Sequence, residues 1–242
     1  MKLAFTLSDW QACAPGLNEP ADWLQWAATP PVIDAAQPLA KTRHLPMMTA
    51  RRLTSGSRAA VECGLALIKR QRVDAVVFTS RHGELERNLR ILTSLSREES
   101  LSPTDFAMSV HNAAVGSLTI AAAEPLVSTS LAAGVDTFQQ GLVEVAALHS
   151  AGYQQVLLVD FEGAVPAFYQ PHLPAGALHS PYAVALLLGR GEQCCCTSDV
   201  VENQQEALLP QSLLFLHAWL ARNPSFRLPG DRLNWQWECQ YD

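Results

Sequence analysis

Lysine and arginine are missing from Glu98 to Gly189, a stretch of 92 residues. Twelve of the 17 basic residues lie just before it, between Lys41 and Arg97, and charged residues make up only 17% of the chain. So long a stretch is atypical of a solvated surface, and we expect it to form core, an interface with another protein, or both. The net charge of −6 argues against general nucleic-acid binding.

Other absences narrow the class of protein further. No run of 18 or more apolar residues occurs, so the sequence predicts no membrane-spanning helix. The N-terminal segment MKLAFTLSDW lacks the long apolar core of a secretion signal, and we interpret it as a strand. Three of the six cysteines are consecutive, Cys194–Cys196, which suits neither a disulfide framework nor a spaced zinc site. We therefore expect a cytoplasmic protein with reduced cysteines and no bound metal.

What the chain does contain is an alternation of apolar strand and helix patterns. The predicted strands are 2–7, 74–80, 126–129, 155–160, 182–188 and a last strand with Trp235, Trp237, Cys239 and Tyr241 on one face. The predicted helices are 20–28, 57–70, one after His82-Gly83, 110–123, 131–150 and 207–223. This order, with continuously apolar strands, predicts a layered α/β fold, which we take as a single domain over residues 1–242.

Two of these helices carry specific expectations. In the helix after Gly83, spacing places leucines inward and arginines outward: Leu85, Leu89, Leu92 and Leu95 against Arg87 and Arg90. In the helix at 131–150, Ser130 is the expected N-cap and Gly152 the stop. That helix is small or apolar on most sides, so a second layer is expected to cover it.

Four segments, in this order, resemble the N-terminal half of β-ketoacyl-acyl-carrier-protein synthases: VVFTSRHGELERNLRILTSL, SPTDFAMSVHNAAVGSLTIA, VSTSLAAGVDTFQQGLVEV and YQQVLLVDFEG. LPMMTARRL, SPTDFAMSVHNA and AGVDTF further resemble the ketosynthase-like N-terminal-domain proteins that serve as chain-length-factor partners in aryl polyene pathways. The resemblance covers about residues 45–190 and leaves 191–242 as an atypical tail. It implies a thiolase-like layered α/β fold, N-terminal half only.

The resemblance also implies that the chemistry is missing. In the family, a Ser-Thr-Ala-Cys turn places a cysteine at the N-terminus of a buried helix, where amide groups and the helix dipole stabilise the thiolate that attacks an acyl thioester. Aligned without gaps, Leu131 takes the place of that cysteine, and a hydrocarbon side chain cannot hold an acyl group. The family's decarboxylation histidines belong to a second half that this chain is too short to contain. The implied role is a chain-length-factor-like subunit, inactive alone and without a cofactor.

The partners follow from the same resemblance. A full-length ketosynthase is expected to pair with the chain as a heterodimer, and an acyl carrier protein to contact Arg51, Arg52 and Arg58, with Arg43 nearby. Small residues at Ala121–Ala123 are expected to leave the end of the acyl tunnel open for a longer chain. The residues expected at the tunnel or interface are Asn112, Gly116, Ile120, Ala121, Ala122, Ala123, Ser128, Thr129 and Phe138.

Other interpretations stay open at this point. A second function is an independent acyltransferase or thioesterase that uses Ser130 or Ser128 as nucleophile and His111 as general base. A packed or capping role suits His111 as well. A third function is a structural partner that leaves product length unchanged. The alanine run also fits close helix packing, and the arginines also fit an ordinary solvated face.

Overall fold

A mixed seven-stranded sheet organises the protein in this computed structural model, which describes residues 2–201 and 206–241. The strand order is β3-β2-β4-β5-β7-β6, and β1 also pairs with β5. The strands are β1 Lys2–Cys13, β2 Ala75–Thr79, β3 Val127–Leu131, β4 Gln155–Glu162, β5 Tyr182–Val200, β6 Ser225–Pro229 and β7 Leu233–Cys239. β2 runs parallel to β3 and β4, whereas β5 runs antiparallel to β4, β1 and β7.

Helices cover both faces of this sheet. They are α1 Pro20–Ala27, α2 Met47–Ala50, α3 Ser55–Ile68, α4 Leu85–Ser96, α5 Pro103–Ala107, α6 Ala113–Ala122, α7 Thr137–Ser150 and α8 Gln211–Leu220. None of the helices in the described ranges is both long enough and apolar enough to span a bilayer.

Two hydrophobic cores lie on opposite faces of the sheet because neighbouring strand residues point in opposite directions. In β2, Ala75 and Val77 join a core with α1, α7 and α8, whereas Val76 and Phe78 join a core with α3 and α6. All five residues of β2 are buried. The expectation of continuously apolar, doubly covered strands is therefore confirmed for β2.

In helix α4 the structure contradicts the predicted faces for Leu92, Leu95 and Arg87, whereas Arg90 is exposed as predicted. Leu92 and Leu95 are 53% and 52% exposed, whereas Arg87 is only 3% exposed. The Arg87 guanidinium lies in ion-pair distance of Glu84 and Asp105 and donates to the Arg52 carbonyl oxygen at 2.7 Å. These partners offset the cost of burying the Arg87 charge, and the helix presents Leu92 and Leu95 to the surface.

The C-terminal region differs most from the predicted elements. β5 continues through the three cysteines to Val200, and β6 forms a hairpin with β7 that the sequence pattern did not reveal. The predicted buried face of the last strand is confirmed for Trp235, Trp237 and Cys239. The helix predicted at 207–223 is shorter and begins at Gln211, directly after Pro210.

Candidate functional site

Leu131 lies where the parallel strands of the sheet end. Thr79 of β2 is paired with Leu131 of β3 on one side and with Asp160 of β4 on the other. The carboxyl ends of parallel strands are the usual location of sites in α/β sheets. The Leu131 side chain is half-buried against the core formed with α7 and α8. An aliphatic group therefore occupies this position, and it offers neither a lone pair nor a proton.

The turn after Leu131 corrects the prediction that a helix begins there with Ser130 as its N-cap. Ser130 and Leu131 are the last two residues of β3, a 3₁₀ turn spans Gly134–Asp136, and α7 begins at Thr137. The Thr137 hydroxyl donates to the Gly134 carbonyl and accepts from the Ala133 amide. Pairing with β2 keeps Ser130 in the sheet, so the first amides of α7 are separated from Leu131 by residues 132–136.

Ser130 and His111, the predicted serine and general base of the second function, lie in contact. The His111 Nε2 is 2.9 Å from the Ser80 carbonyl oxygen, which can only accept, so we assign the ring proton to Nε2. The Nδ1 atom then accepts from the Ser130 hydroxyl at 2.7 Å. At Gly83, whose φ is +55°, a Cβ would lie 3.0 Å from the His111 ring. The imidazole thus joins the ends of β2 and β3 to the segment before α6.

A small cavity of about 90 Å³ lies beside this turn and contains two acids that the sequence reasoning missed. Asp160 accepts hydrogen bonds from Thr79, Tyr182 and Ser212, yet burial raises the pKa of its carboxyl group. Burial, reinforced by the neighbouring Asp160, raises the pKa of Glu162 to about 8. The signal available in the sequence was two acids at the end of the apolar strand QVLLVDFE.

Backbone amides and the tail complete that cavity. Glu162 accepts from the backbone N–H groups of Arg81 and His82. Arg81 forms an ion pair with Glu206, and Phe138 contributes part of the apolar wall. No group of three or more His, Cys, Asp or Glu side chains within 2–201 and 206–241 is arranged to hold a metal ion.

Asp136 joins the turn after Leu131 to the C-terminal tail. Its Oδ1 accepts from the Gln211 side chain at 2.9 Å and from the Trp235 indole N–H at 2.8 Å, and its Oδ2 accepts from the Asp231 amide at 3.1 Å. The three donors come from α8, β7 and the turn between β6 and β7. The C-terminal tail therefore supports the segment that follows Leu131.

Helix α6 combines close packing on one side with an exposed opposite side. A Cβ at Gly64 of α3 would lie 3.0 Å from Leu118, which shows how closely the two helices approach. Ile120 on the other side is 82% exposed. Ala121 and Ala122 are half-buried against the α3-side core, and Ala123, with φ of +55°, ends the helix in a left-handed conformation.

Exposed apolar side chains recur along the segment from α4 to β3. We call this set the edge face: Leu92, Leu95, Phe106, Val110, Ile120 and Val127. Of the other residues predicted for a tunnel or interface, Asn112 and Ser128 are exposed and Gly116 and Thr129 are half-buried. Phe138 is only 2% exposed and packs on Phe215 of α8, so its ring contacts the core of this chain.

The predicted basic residues lie around a groove of about 800 Å³ between the end of β1, the loop before α2, and α3. Arg51 and Arg58 line this groove, whereas Arg52 is exposed nearby. Arg43 also lines the groove but forms an ion pair with Glu19. The groove therefore has an exposed cationic rim.

Comparisons with known proteins identify relatives over nearly the whole chain. Residues 23–238 match the family described as β-ketoacyl synthase, N-terminal domain. The chain is also similar to a chain of the complex of the ketosynthase ApeO with its chain length factor ApeC from Xenorhabdus doucetiae: the identity is 54%, the TM-score is 0.95, and 98% of this chain and 99% of that chain are covered.

More distant structures share the fold alone. The ishigamide ketosynthase/chain length factor is 13% identical with a TM-score of 0.63, covering 81% of this chain and 67% of that chain. A β-ketoacyl synthase from Burkholderia phymatum STM815 is 13% identical with a TM-score of 0.53, covering 92% of this chain and 71% of that chain. No curated protein sequence matches the chain.

Proposed function

Because the chain belongs to the family of β-ketoacyl synthase N-terminal domains, we propose that it is a non-catalytic, chain-length-factor-like subunit that pairs with a full-length ketosynthase. The observation that carries this proposal is the similarity, over 98% of the chain, to a chain of the ketosynthase–chain length factor complex. Of the two components, we assign this chain to the chain-length-factor side because Leu131 stands where the family's nucleophilic cysteine is expected. The thiolase-like α/β layers of the first half are kept, and the tail covers α7.

The edge of the sheet at β3 supplies the proposed pairing surface. Among the described strands, β3 is terminal and pairs only with β2, so its other side presents unpaired amide and carbonyl groups. Such an edge can pair with a strand of another chain. Val127 of β3 and Ile120 of the adjacent helix α6 belong to the edge face, and their exposed side chains would be covered by a partner. The basic-free stretch from Glu98 to Gly189 includes β3 and much of this face.

The proposed tunnel wall is the end of α6. Ala121 and Ala122 leave part of their surface open, so they leave room for the far end of an acyl chain bound between the two subunits. Each additional buried methylene gains about 0.8 kcal/mol. A few ångströms of depth at this point would therefore influence product length, which distinguishes this role from that of a purely structural partner.

The joint reaction proposed for the pair is decarboxylative condensation of malonyl units carried by an acyl carrier protein, in polyketide or fatty-acid-like biosynthesis of the aryl polyene type. The partner's cysteine would carry the acyl chain. Arg51, Arg52 and Arg58 are proposed to contact the acidic carrier protein, since all three are exposed. We place the complex in the cytoplasm, because carrier-bound intermediates would be supplied there.

Co-expression with a full-length ketosynthase from the same source tests the pairing. We expect a one-to-one heterodimer by native mass spectrometry, and we expect Ile120→Glu to abolish it because a charge would be buried in the interface. Phe168→Glu is the matched control, since Phe168 is 68% exposed and lies outside the edge face. A complex that survives Ile120→Glu, or a chain that remains a monomer beside the ketosynthase, would contradict the proposal.

A second candidate function depends on the contact between Ser130 and His111. A hydroxyl donating to an imidazole at 2.7 Å is the geometry of an activated serine, and the Ser80 carbonyl orients the ring. This candidate is an independent acyltransferase or thioesterase. A fluorophosphonate probe that labels the wild-type chain but not Ser130→Ala would support it. The absence of labelling in a folded wild-type chain would leave Ser130 as a structural hydrogen-bond donor.

A further inference from the structure

Cys194 and Cys239 face each other across neighbouring antiparallel strands. They are direct partners in the β5–β7 register. The Cys239 amide points away from β5 and donates to the Pro224 carbonyl, whereas the next residue, Gln240, donates to the Gln193 carbonyl on β5 at 2.8 Å. Cys194 and Cys239 therefore form a non-hydrogen-bonded pair, in which the Cα atoms lie about 4.5 Å apart. That separation falls within the range that a disulfide can bridge.

The two sulfur atoms are already close. The Cys194 Sγ lies 2.6 Å from the Cys239 Sγ, and the two residues are 1% and 4% exposed. The other members of the cysteine run do not share this arrangement. Cys195 points to the opposite side of the strand, where its thiol lies 3.7 Å from the Glu192 carbonyl, and Cys196 is paired with Trp237. Only Cys194 of the three has a thiol directly across the strand.

We propose that Cys194 and Cys239 are an oxidation site that forms a reversible intramolecular disulfide. With a hydroperoxide as oxidant, the Cys239 thiolate attacks the terminal peroxide oxygen, which gives a sulfenic acid and the corresponding alcohol or water. The Cys194 sulfur then attacks the sulfenic sulfur, the S–S bond forms, and water leaves. Two thiols lose two protons and two electrons, and the peroxide is reduced.

The order of these steps follows from the positions of the two residues. Cys239 is the last residue of β7, where local opening gives a small peroxide access to a buried sulfur, whereas Cys194 lies inside β5. Cys239 is therefore the attacking thiolate, and the contact with Cys194 lowers the pKa of its thiol.

The proposed Cys194–Cys239 disulfide would link the C-terminal tail covalently to β5 in the middle of the sheet. β7 carries Trp235, whose indole donates to Asp136 in the turn after Leu131. Linking β7 covalently to β5 therefore holds the element that supports this turn. The proposal does not depend on the function proposed above, because its readouts are covalent structure and stability.

The full chain is treated with hydrogen peroxide, alkylated, and analysed by intact mass and non-reducing peptide mapping. We expect a loss of about 2 Da before alkylation, a cross-linked peptide pair joining Cys194 to Cys239, and a rise in melting temperature of about 5 °C that dithiothreitol reverses. Cys194→Ser and Cys239→Ser are expected to lose all three effects, whereas Cys195→Ser and Cys196→Ser retain them. Cys194→Ala and Cys239→Ala repeat the test if a serine variant is unfolded by near-ultraviolet circular dichroism.

Two results would overturn the proposal. One is a folded wild-type chain in which Cys194 and Cys239 are both alkylated after peroxide treatment sufficient to oxidise Cys195. The other is a cross-link that joins Cys239 to Cys195 or Cys196 and persists in Cys194→Ser.

Discussion

Replacing Asp136 with alanine tests whether the tail supports the turn after Leu131. The substitution removes the acceptor for Gln211, Trp235 and the Asp231 amide. Gln211 and Trp235 are 4% and 1% exposed, so water cannot readily replace the lost acceptor. Each hydrogen bond to a charged group contributes about 1.5–3 kcal/mol when its loss leaves a buried donor unsatisfied.

The two buried donors together predict a loss of about 3–6 kcal/mol in the free energy of unfolding. For a chain of 242 residues, the entropy of unfolding is about 0.5 kcal/mol/K, so the melting temperature should fall by about 6–12 °C. Asp136→Asn is the matched variant, because an amide oxygen at the Oδ1 position still accepts from both buried donors. It should cost no more than about 1.5 kcal/mol.

Urea unfolding followed by tryptophan fluorescence gives the free energies, and differential scanning calorimetry gives the melting temperatures. Asp231→Ala is the control, because it keeps the backbone amide that donates to Asp136 and changes only an exposed side chain; it should change stability by less than about 0.5 kcal/mol. A loss below about 1 kcal/mol for Asp136→Ala, or equal losses for Asp136→Ala and Asp136→Asn, would refute the claim that Asp136 joins the tail to the turn.

Three further predictions concern the acid cavity, the tunnel and the carrier protein. The pKa of Glu162 is about 8 in the folded chain, against a reference value of 4.5. Between these values the folded chain keeps the carboxyl proton that the unfolded chain releases. The free energy of unfolding should therefore fall as pH rises from about 4.5 to 8. Glu162→Gln should flatten that part of a melting-temperature profile and stabilise the chain at pH 8 by a few kcal/mol; an unchanged profile would contradict the assignment. Ala122→Phe in the heterodimer should shorten the product by several carbons, as measured by mass spectrometry. Ala147→Phe, on the exposed side of α7, is the control and should leave product length unchanged. Identical products from the two variants would refute the tunnel role. The double variant Arg51→Glu, Arg58→Glu should weaken carrier-protein binding at least tenfold, as measured by surface plasmon resonance at low salt. Arg227→Glu on β6 is the control. Equal affinities for the double variant and the control would contradict a carrier contact at the groove.

The parts of the fold that the sequence predicted well are those in which local pattern and tertiary environment agree. The segments DAVVFTS and QVLLVD are apolar on both faces, and they form the buried parallel strands β2 and β4. The small-residue helix at α6 likewise packs closely on α3, as expected. In these segments, periodicity and burial carry the same information.

Hydrophobic periodicity gave wrong predictions where residues distant in sequence determine whether a side chain is buried. The leucines at positions 92 and 95 have the spacing of a core-facing stripe, but spacing alone cannot distinguish this chain's core from an exposed face that we propose a second chain covers. Arg87 is buried because Asp105 and the Arg52 carbonyl approach it from other elements. No local pattern encodes that arrangement.

The candidate site was predicted in part. The pattern brought Ser130, Leu131 and His111 to attention, and the structure places Ser130 and His111 in contact. The sequence pattern did not reveal that pairing with Phe78 of β2 keeps Ser130 in a strand, or that α7 begins only at Thr137. Asp160 and Glu162 were overlooked because two acids after an apolar strand resemble an ordinary strand end until the cavity that encloses them is seen.

In the proposed complex this chain shapes an active site without carrying the covalent intermediate. Incubating the heterodimer with an acyl carrier thioester and measuring the intact mass of each subunit shows which chain is acylated. We expect an acyl adduct on the ketosynthase subunit and an unmodified mass for this chain, both in the complex and alone. An acyl adduct on this chain would rule out a non-catalytic role for it.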